Sequence, residues 1–136
     1  MSQSPSRVLD VGNCNPDHHK IRMMLERHFD VSIDRVMFVD EALDRMRRTR
    51  YDLVLVNRLI FEDQSEGIDL LRRVKGDASV LKAPIMLVSN YAEAQAAATA
   101  EGATPGFGKD KLFSDETIKR LRQFLKPRER QGAVPM

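Results

Sequence analysis

Residues 51–57 read Tyr-Asp-Leu-Val-Leu-Val-Asn (YDLVLVN), and the four from Leu53 to Val56 are apolar without interruption. A strand with one face in water alternates apolar and polar residues. A strand that is apolar at every position is expected in the middle of a parallel sheet, covered on both faces. The same pattern recurs on either side. Downstream, Pro84 opens a second continuous run, Ile85 to Val88 (IMLV), and a short strand is expected at Gly106–Gly108. Upstream, Arg7 to Gly12 (RVLDVG) stops at a glycine and an Asn-Cys-Asn-Pro loop, and Ile33 to Val39 (IDRVMFV) alternates enough to be another strand.

Helical spacing fills the gaps between these runs. Ile21, Met24, Leu25 and His28 fall on one face of a helix over 17–28, with Asn15 as its cap and Pro16 in its first turn. Asp40 is placed to cap a second helix whose buried stripe is Ala42, Leu43 and Met46. A polar loop over 57–66 leads to a third, with Ile68, Leu71 and Val74 in step. An alanine-rich fourth helix spans 91–101 and is closed by Gly102 at the position after its cap. The last, over 115–125, turns Ile118, Leu121, Phe124 and Leu125 inward and is halted by Lys126-Pro127. Strands alternating with helices imply parallel pairing through right-handed crossovers. The expected fold is α/β, a flavodoxin-like, doubly wound five-stranded parallel sheet in a three-layer sandwich. One domain over residues 6–126 accounts for the chain, with tails at 1–5 and 127–136.

Composition narrows the functional classes. The apolar runs are too short to span a bilayer, and the polar start MSQSPSR lacks the apolar core of a secretory signal, so a cytoplasmic protein is expected. Cys14 is the single cysteine, which rules out an internal disulfide and a cysteine-rich zinc site. With 22 basic and 20 acidic residues the net charge is only +2, and tryptophan is absent. Nucleic-acid binding normally shows a more lopsided charge with stacking aromatics. The arginines at 45, 47, 48 and 50 and the basic run from Lys126 to Arg130 therefore read as a solvated helix face and a tail. His18 and His19 are adjacent and point different ways, which is poor geometry for a shared metal.

In an open parallel sheet, sites form beyond the carboxyl ends of the strands. Those ends carry Asn13, Cys14 and Asn15, then Asn57, Ser89 and Lys109. No histidine–acid arrangement accompanies Ser89, and the loop GNCNPD lacks the glycine-rich pattern that cradles phosphate, so enzymatic chemistry is not expected.

The ordered set of strand ends resembles the receiver domain of bacterial response regulators over roughly residues 6–126. YDLVLVN with the following EGIDLLRRVK looks like the family's third strand and helix, and PIMLVSNYAEAQAAATAEGA like its fourth. Lys109 stands at the family's lysine and Ser89 at its switch serine or threonine. The resemblance implies two-component phosphorelay signalling through three carboxylates: an acidic pair that helps hold magnesium and an aspartate that accepts phosphate. This chain departs at each of them. The phosphoacceptor position is Asn57, whose neutral, delocalised amide is no nucleophile. Aligned without a gap, the acidic pair falls on Asn13 and Cys14; with one inserted residue it falls on Gly12 and Asn13. Asp10, within the strand, and Asp17, within the helix, are not obvious substitutes. The switch aromatic is Gly106, with Phe107 one position later, and Asp110 replaces the usual proline after the lysine. The loop after Asn57 is longer than usual, with Phe61 where a proline is common.

The chain is therefore expected to be a pseudo-receiver that signals by protein–protein contact, with no cofactor or metal. Its output would pass to a signalling partner or through a homodimer. The surface the family uses for such contacts, formed by the fourth helix, fifth strand and last helix, carries Tyr91, Gln95, Phe107, Lys111, Lys119 and Arg122. Lys109 is expected to hydrogen-bond Asn57 and loop carbonyls as a structural remnant. The alternative is a sensor that binds a small anion or metabolite in the altered pocket.

Overall fold

The apolar run at 53–56 forms the middle strand of a five-stranded sheet. A computed structural model describes residues 4–128 of the chain. The elements are β1 (Ser6–Val11), α1 (Asn15–His28), β2 (Val31–Val36), α2 (Val39–Arg48), β3 (Leu53–Asn57), α3 (Ile68–Lys75), β4 (Ile85–Val88), α4 (Ala92–Ala100), β5 (Thr104–Phe107), a 3-10 turn (Lys109–Lys111) and α5 (Asp115–Leu121). The strands are ordered β2-β1-β3-β4-β5 and every pair is parallel, so the doubly wound α/β architecture stands as expected.

Period-two geometry explains why β3 and β4 carry no polar residue in their apolar runs. Val54 and Val56, with Ile85 and Leu87, face a core layer built with α2, α3 and α4. Leu53 and Leu55, with Met86 and Val88, face the opposite layer built with α1 and α5. Leu55 is fully buried, and burying a side chain of that size contributes about 1.5–3 kcal/mol. Asp10 lies on the α1 side of β1, since its neighbours Leu9 and Val11 face the other layer.

Element ends differ from the sequence reading at several points. β2 starts at Val31 and ends at Val36, so 37–39 are not strand. As an edge strand it is only half-buried, and its alternation is correspondingly blurred. Asp40 is not the cap of α2 but sits in its first turn. The Glu41 carboxylate instead accepts from the backbone N–H groups of Met37 and Phe38. α1 begins two residues early, at Asn15, and its cap moves from Asn15 to Cys14, so Asn15 and Pro16 lie inside. In α3 the fully buried residues are Leu70 and Leu71, while Ile68 and Val74 are only partly covered. Gly102, at φ +103°, closes α4 in the left-handed conformation that favours glycine. Regular α5 stops at Leu121, although Leu125 remains buried and Phe124 packs beside it.

Residues 126–128 pack back against the turn from α1 to β2. Pro127 bridges to Phe29, Arg128 N–H donates to His28 O, and Asp30 N–H donates to Lys126 O. The remainder of the expected tails, residues 1–3 and 129–136, lies outside the described residues. Among the described residues no helix is long and apolar enough to cross a membrane.

Candidate functional site

α1 leaves β1 on one face of the sheet and α3 leaves β3 on the other, so the chain parts between the ends of β1 and β3. Crevices of this kind are where doubly wound folds bind ligands. Here the crevice is a cleft of about 300 Å3, with Cys14, Asn57, Ser89 and Lys109 in its lining. Four of the strand-end residues picked out in the sequence thus meet.

Asn13 does not join them. It is fully buried and turned beneath the cleft, where its side-chain amide N–H donates to Asp10 Oδ1 at 2.6 Å and its backbone carbonyl accepts from Arg35 at 2.8 Å. Asp10 is also fully buried, and its second oxygen lies 2.5 Å from His18 Nδ1 on α1. A carboxylate out of reach of water needs such partners, and His18 and Asn13 supply them.

The cleft's own acid is Asp17, in the first turn of α1. Its carboxylate accepts from Lys109 Nζ at 2.6 Å. Burial pushes the Asp17 carboxyl up, but hydrogen bonds from Lys109 and the Cys14 thiol, together with the lysine's charge, outweigh this and hold it below the usual value. The expectation that Lys109 would bond Asn57 is therefore corrected. The ammonium goes to the group of opposite charge, and the Asn57 amide donates to Leu59 O at 2.6 Å within its own loop. Ser89 is buried, with Oγ accepting from Tyr91 N–H at 3.1 Å.

The donor set does not fit a magnesium ion. Magnesium prefers several hard, anionic oxygen ligands in octahedral array. The cleft offers a thiol, a hydroxyl, three amides (Asn57, Gln64 and Asn90) engaged with other partners, and one carboxylate already neutralised by a lysine. Among the described residues no group of three His, Cys, Asp or Glu could hold a metal.

At the other side of the cleft, β5 is fixed by side chains from both layers. Gln95 on α4 donates to Leu87 O at 2.8 Å and Ser89 O at 3.1 Å, and accepts from Gly106 N–H at 3.1 Å. Arg120 on α5 donates to the Gly106 carbonyl. A Cβ at position 106 would collide with the Leu87 carbonyl oxygen, which is backbone and cannot swing aside. No aromatic ring can stand there unless β5 moves. Phe107 does not replace it as a surface group: it is 4% exposed and packs with Met86, Val88 and Leu112. Of the other expected partner-surface residues, Tyr91, Lys111, Lys119 and Arg122 are exposed, whereas Gln95 is half-buried and spent on the clamp.

Two cleft residues went unrecognised from the sequence. Asp17 reads from the sequence as a helix residue, although its place in the first turn of the helix that follows β1 is a usable signal. Arg58, directly after Asn57, lies over the Tyr91 ring at 4.9 Å and helps line the cleft.

No family model matches the chain, and no curated protein does. Solved structures do. The receiver domain of a Francisella response regulator is 19% identical with a TM-score of 0.68, covering 88% of this chain and 95% of that one. A CheY-like receiver domain from Methylobacillus flagellatus is 18% identical with a TM-score of 0.69, covering 88% and 98%. The signal receiver domain of an HD-domain protein from Pseudomonas fluorescens is 17% identical with a TM-score of 0.69, covering 92% and 90%. This chain has the fold of response-regulator receiver domains, with Asn57, Asp17 and Lys109 in the lining of its cleft.

Proposed function

We propose that the chain is an atypical receiver-type module of two-component signalling that works by binding a protein partner and does not accept phosphate. The observation that carries this reading is the Lys109–Asp17 pair beside Asn57. A phosphoacceptor must be a carboxylate able to form an acyl phosphate, and Asn57 is an amide. The ammonium that could neutralise an incoming phosphoryl group is already neutralised by Asp17, and the magnesium-holding acids are missing. With Gly106 clamped between Gln95 and Arg120, the usual aromatic switch is missing too. What is left for output is a surface held in one shape. Tyr91, Lys111, Lys119 and Arg122 make the α4–β5–α5 face the leading candidate, either for a signalling partner or for a second copy of the chain.

The test is an amide NMR spectrum of the chain with and without magnesium and beryllofluoride, an acyl-phosphate mimic. The expected result is no shift. Saturable shifts confined to Asn57, Ser89 and Lys109 would instead favour the second reading, a sensor of small anions, which the cleft with Lys109 and Arg58 in its lining supports. Asn57→Asp alone is expected to stay unlabelled by acetyl phosphate, because restoring the nucleophile does not restore the metal ligands. Robust labelling of that variant would refute the absence of an acidic pair.

A further inference from the structure

Beside the cleft, and sharing Arg58 and Tyr91 with it, a groove runs along the seam between α3 and α4. At the far end of the seam Glu101 accepts from Arg72 at 3.2 Å and from Lys75 at 2.7 Å, both on α3, and borders a separate cavity of about 600 Å3. At the near end the groove encloses about 210 Å3, room for one large apolar side chain. Ile68, Leu87, Ala94 and Ala97 form its floor. The two alanines create it, since their methyl groups leave the space between the helices unfilled down to Leu87 of the sheet. Tyr91, 53% exposed, is its wall, braced by Arg58.

The rim is acidic. Glu66 and Glu93 both line the groove and both are exposed. Among the described residues neither is in an ion pair. Acids that line two other clefts among the described residues are paired: Asp17 with Lys109, Glu101 with Arg72 and Lys75, Asp77 with Arg47. Among the described residues Arg58 is the one cation lining the groove, and it is laid over Tyr91.

We propose that this groove docks a basic–apolar segment of a partner protein, with one large apolar side chain on the floor and flanking lysine or arginine side chains on Glu66 and Glu93. The proposal rests on the protein-binding reading and narrows it to the α3–α4 seam and to one class of sequence. A second copy of the chain is a poor occupant, because a two-fold contact here would set the acidic rim against itself. Charge complementarity of this kind selects partners chiefly by repelling the wrong ones.

The experiment is an amide NMR titration of the full chain with a short synthetic peptide carrying one leucine flanked on both sides by lysines. Two controls replace every lysine by glutamate, or the leucine by glycine. Saturable shifts are expected at Ile68, Leu87, Ala94 and Ala97 with the first peptide only, weakening as salt rises toward about 0.5 M. Glu66→Lys combined with Glu93→Lys is expected to weaken binding by about tenfold or more. Ala97→Gln, a good helix former at an exposed site that fills the groove, is expected to abolish it with the spectrum otherwise intact. Equal binding of the glutamate or the glycine peptide, or unchanged binding by either variant, overturns the proposal. So does the absence of any shift. Shifts confined to Lys111, Lys119 and Arg122 overturn the groove while leaving the protein-binding reading in place. That reading is tested separately by the beryllofluoride spectrum.

Discussion

Gln95→Ala removes a side chain that ties three backbone groups together, so its cost follows from the geometry. The amide donates to two carbonyls at 2.8 and 3.1 Å and accepts from the Gly106 N–H at 3.1 Å. A neutral hydrogen bond contributes about 0.5–1.5 kcal/mol net, and a buried partner left bare costs about 1–3 kcal/mol. Position 95 is half-buried, so water can reach part of the gap and the full sum does not apply. Alanine also returns a few tenths of a kcal/mol of helix propensity, roughly 0.4 kcal/mol at most. The expected net loss is about 2 kcal/mol, which for a domain of this size lowers Tm by roughly 6–10 °C. Urea unfolding followed by circular dichroism measures the first quantity. Hydrogen exchange at the Gly106 amide reports the clamp directly and should speed up beyond the change in global stability. A loss under about 0.5 kcal/mol, within the range of ordinary surface substitutions, together with unchanged Gly106 protection, would refute the clamp.

Three further outcomes follow from the same contacts. Asp17 should titrate below its ordinary value of 3.8 in a carboxyl-detected NMR experiment. Its contribution to stability is then complete above that value and fades as pH falls through the lower native one. Lys109→Met should raise the Asp17 value and flatten this acid-side loss, and an unmoved titration would mean that the pair does not form in solution. Gly106→Ala places a Cβ against the Leu87 carbonyl; forcing β5 outward is expected to cost about 1–3 kcal/mol in chemical unfolding, and a neutral substitution would contradict the close approach. Tyr51 is buried, with its hydroxyl donating to Asp34 at 2.6 Å. Burial and then Asp34 push the phenol above 10, so it should stay protonated in an ultraviolet titration through that pH, while Tyr51→Phe loses about 1–2 kcal/mol.

The fold was legible because it is written in short-range pattern. Uninterrupted Leu53–Val56 and Ile85–Val88 can only serve strands covered on both sides, and Gly102 and Pro84 mark ends that the backbone must respect. The site was legible only as a set of strand ends. That Cys14, Asn57, Ser89 and Lys109 meet follows from topology, but their partners depend on three-dimensional packing. Lys109 finds Asp17 across 92 positions of chain, and no local periodicity reports such a pair. Asn13 was placed in the cleft by its position after β1, yet the buried carboxylate of Asp10 claims its amide. Phe107 reads from the sequence as a partner-surface residue because it lies on the fifth strand of that face. In a strand one step reverses the side-chain direction, and here it carries the ring into the core.

The clasp on Gly106 also bears on how this molecule can self-associate. β5 is the outer strand of the sheet, and an outer strand ordinarily offers a ladder of unpaired amides to any neighbouring chain. Here one of its four residues has its N–H taken by Gln95 from one layer and its carbonyl taken by Arg120 from the other, and Pro105 beside it has no N–H to give. A second sheet finds no continuous row of groups to extend. Fusion into a ten-stranded sheet would first require the clasp to open.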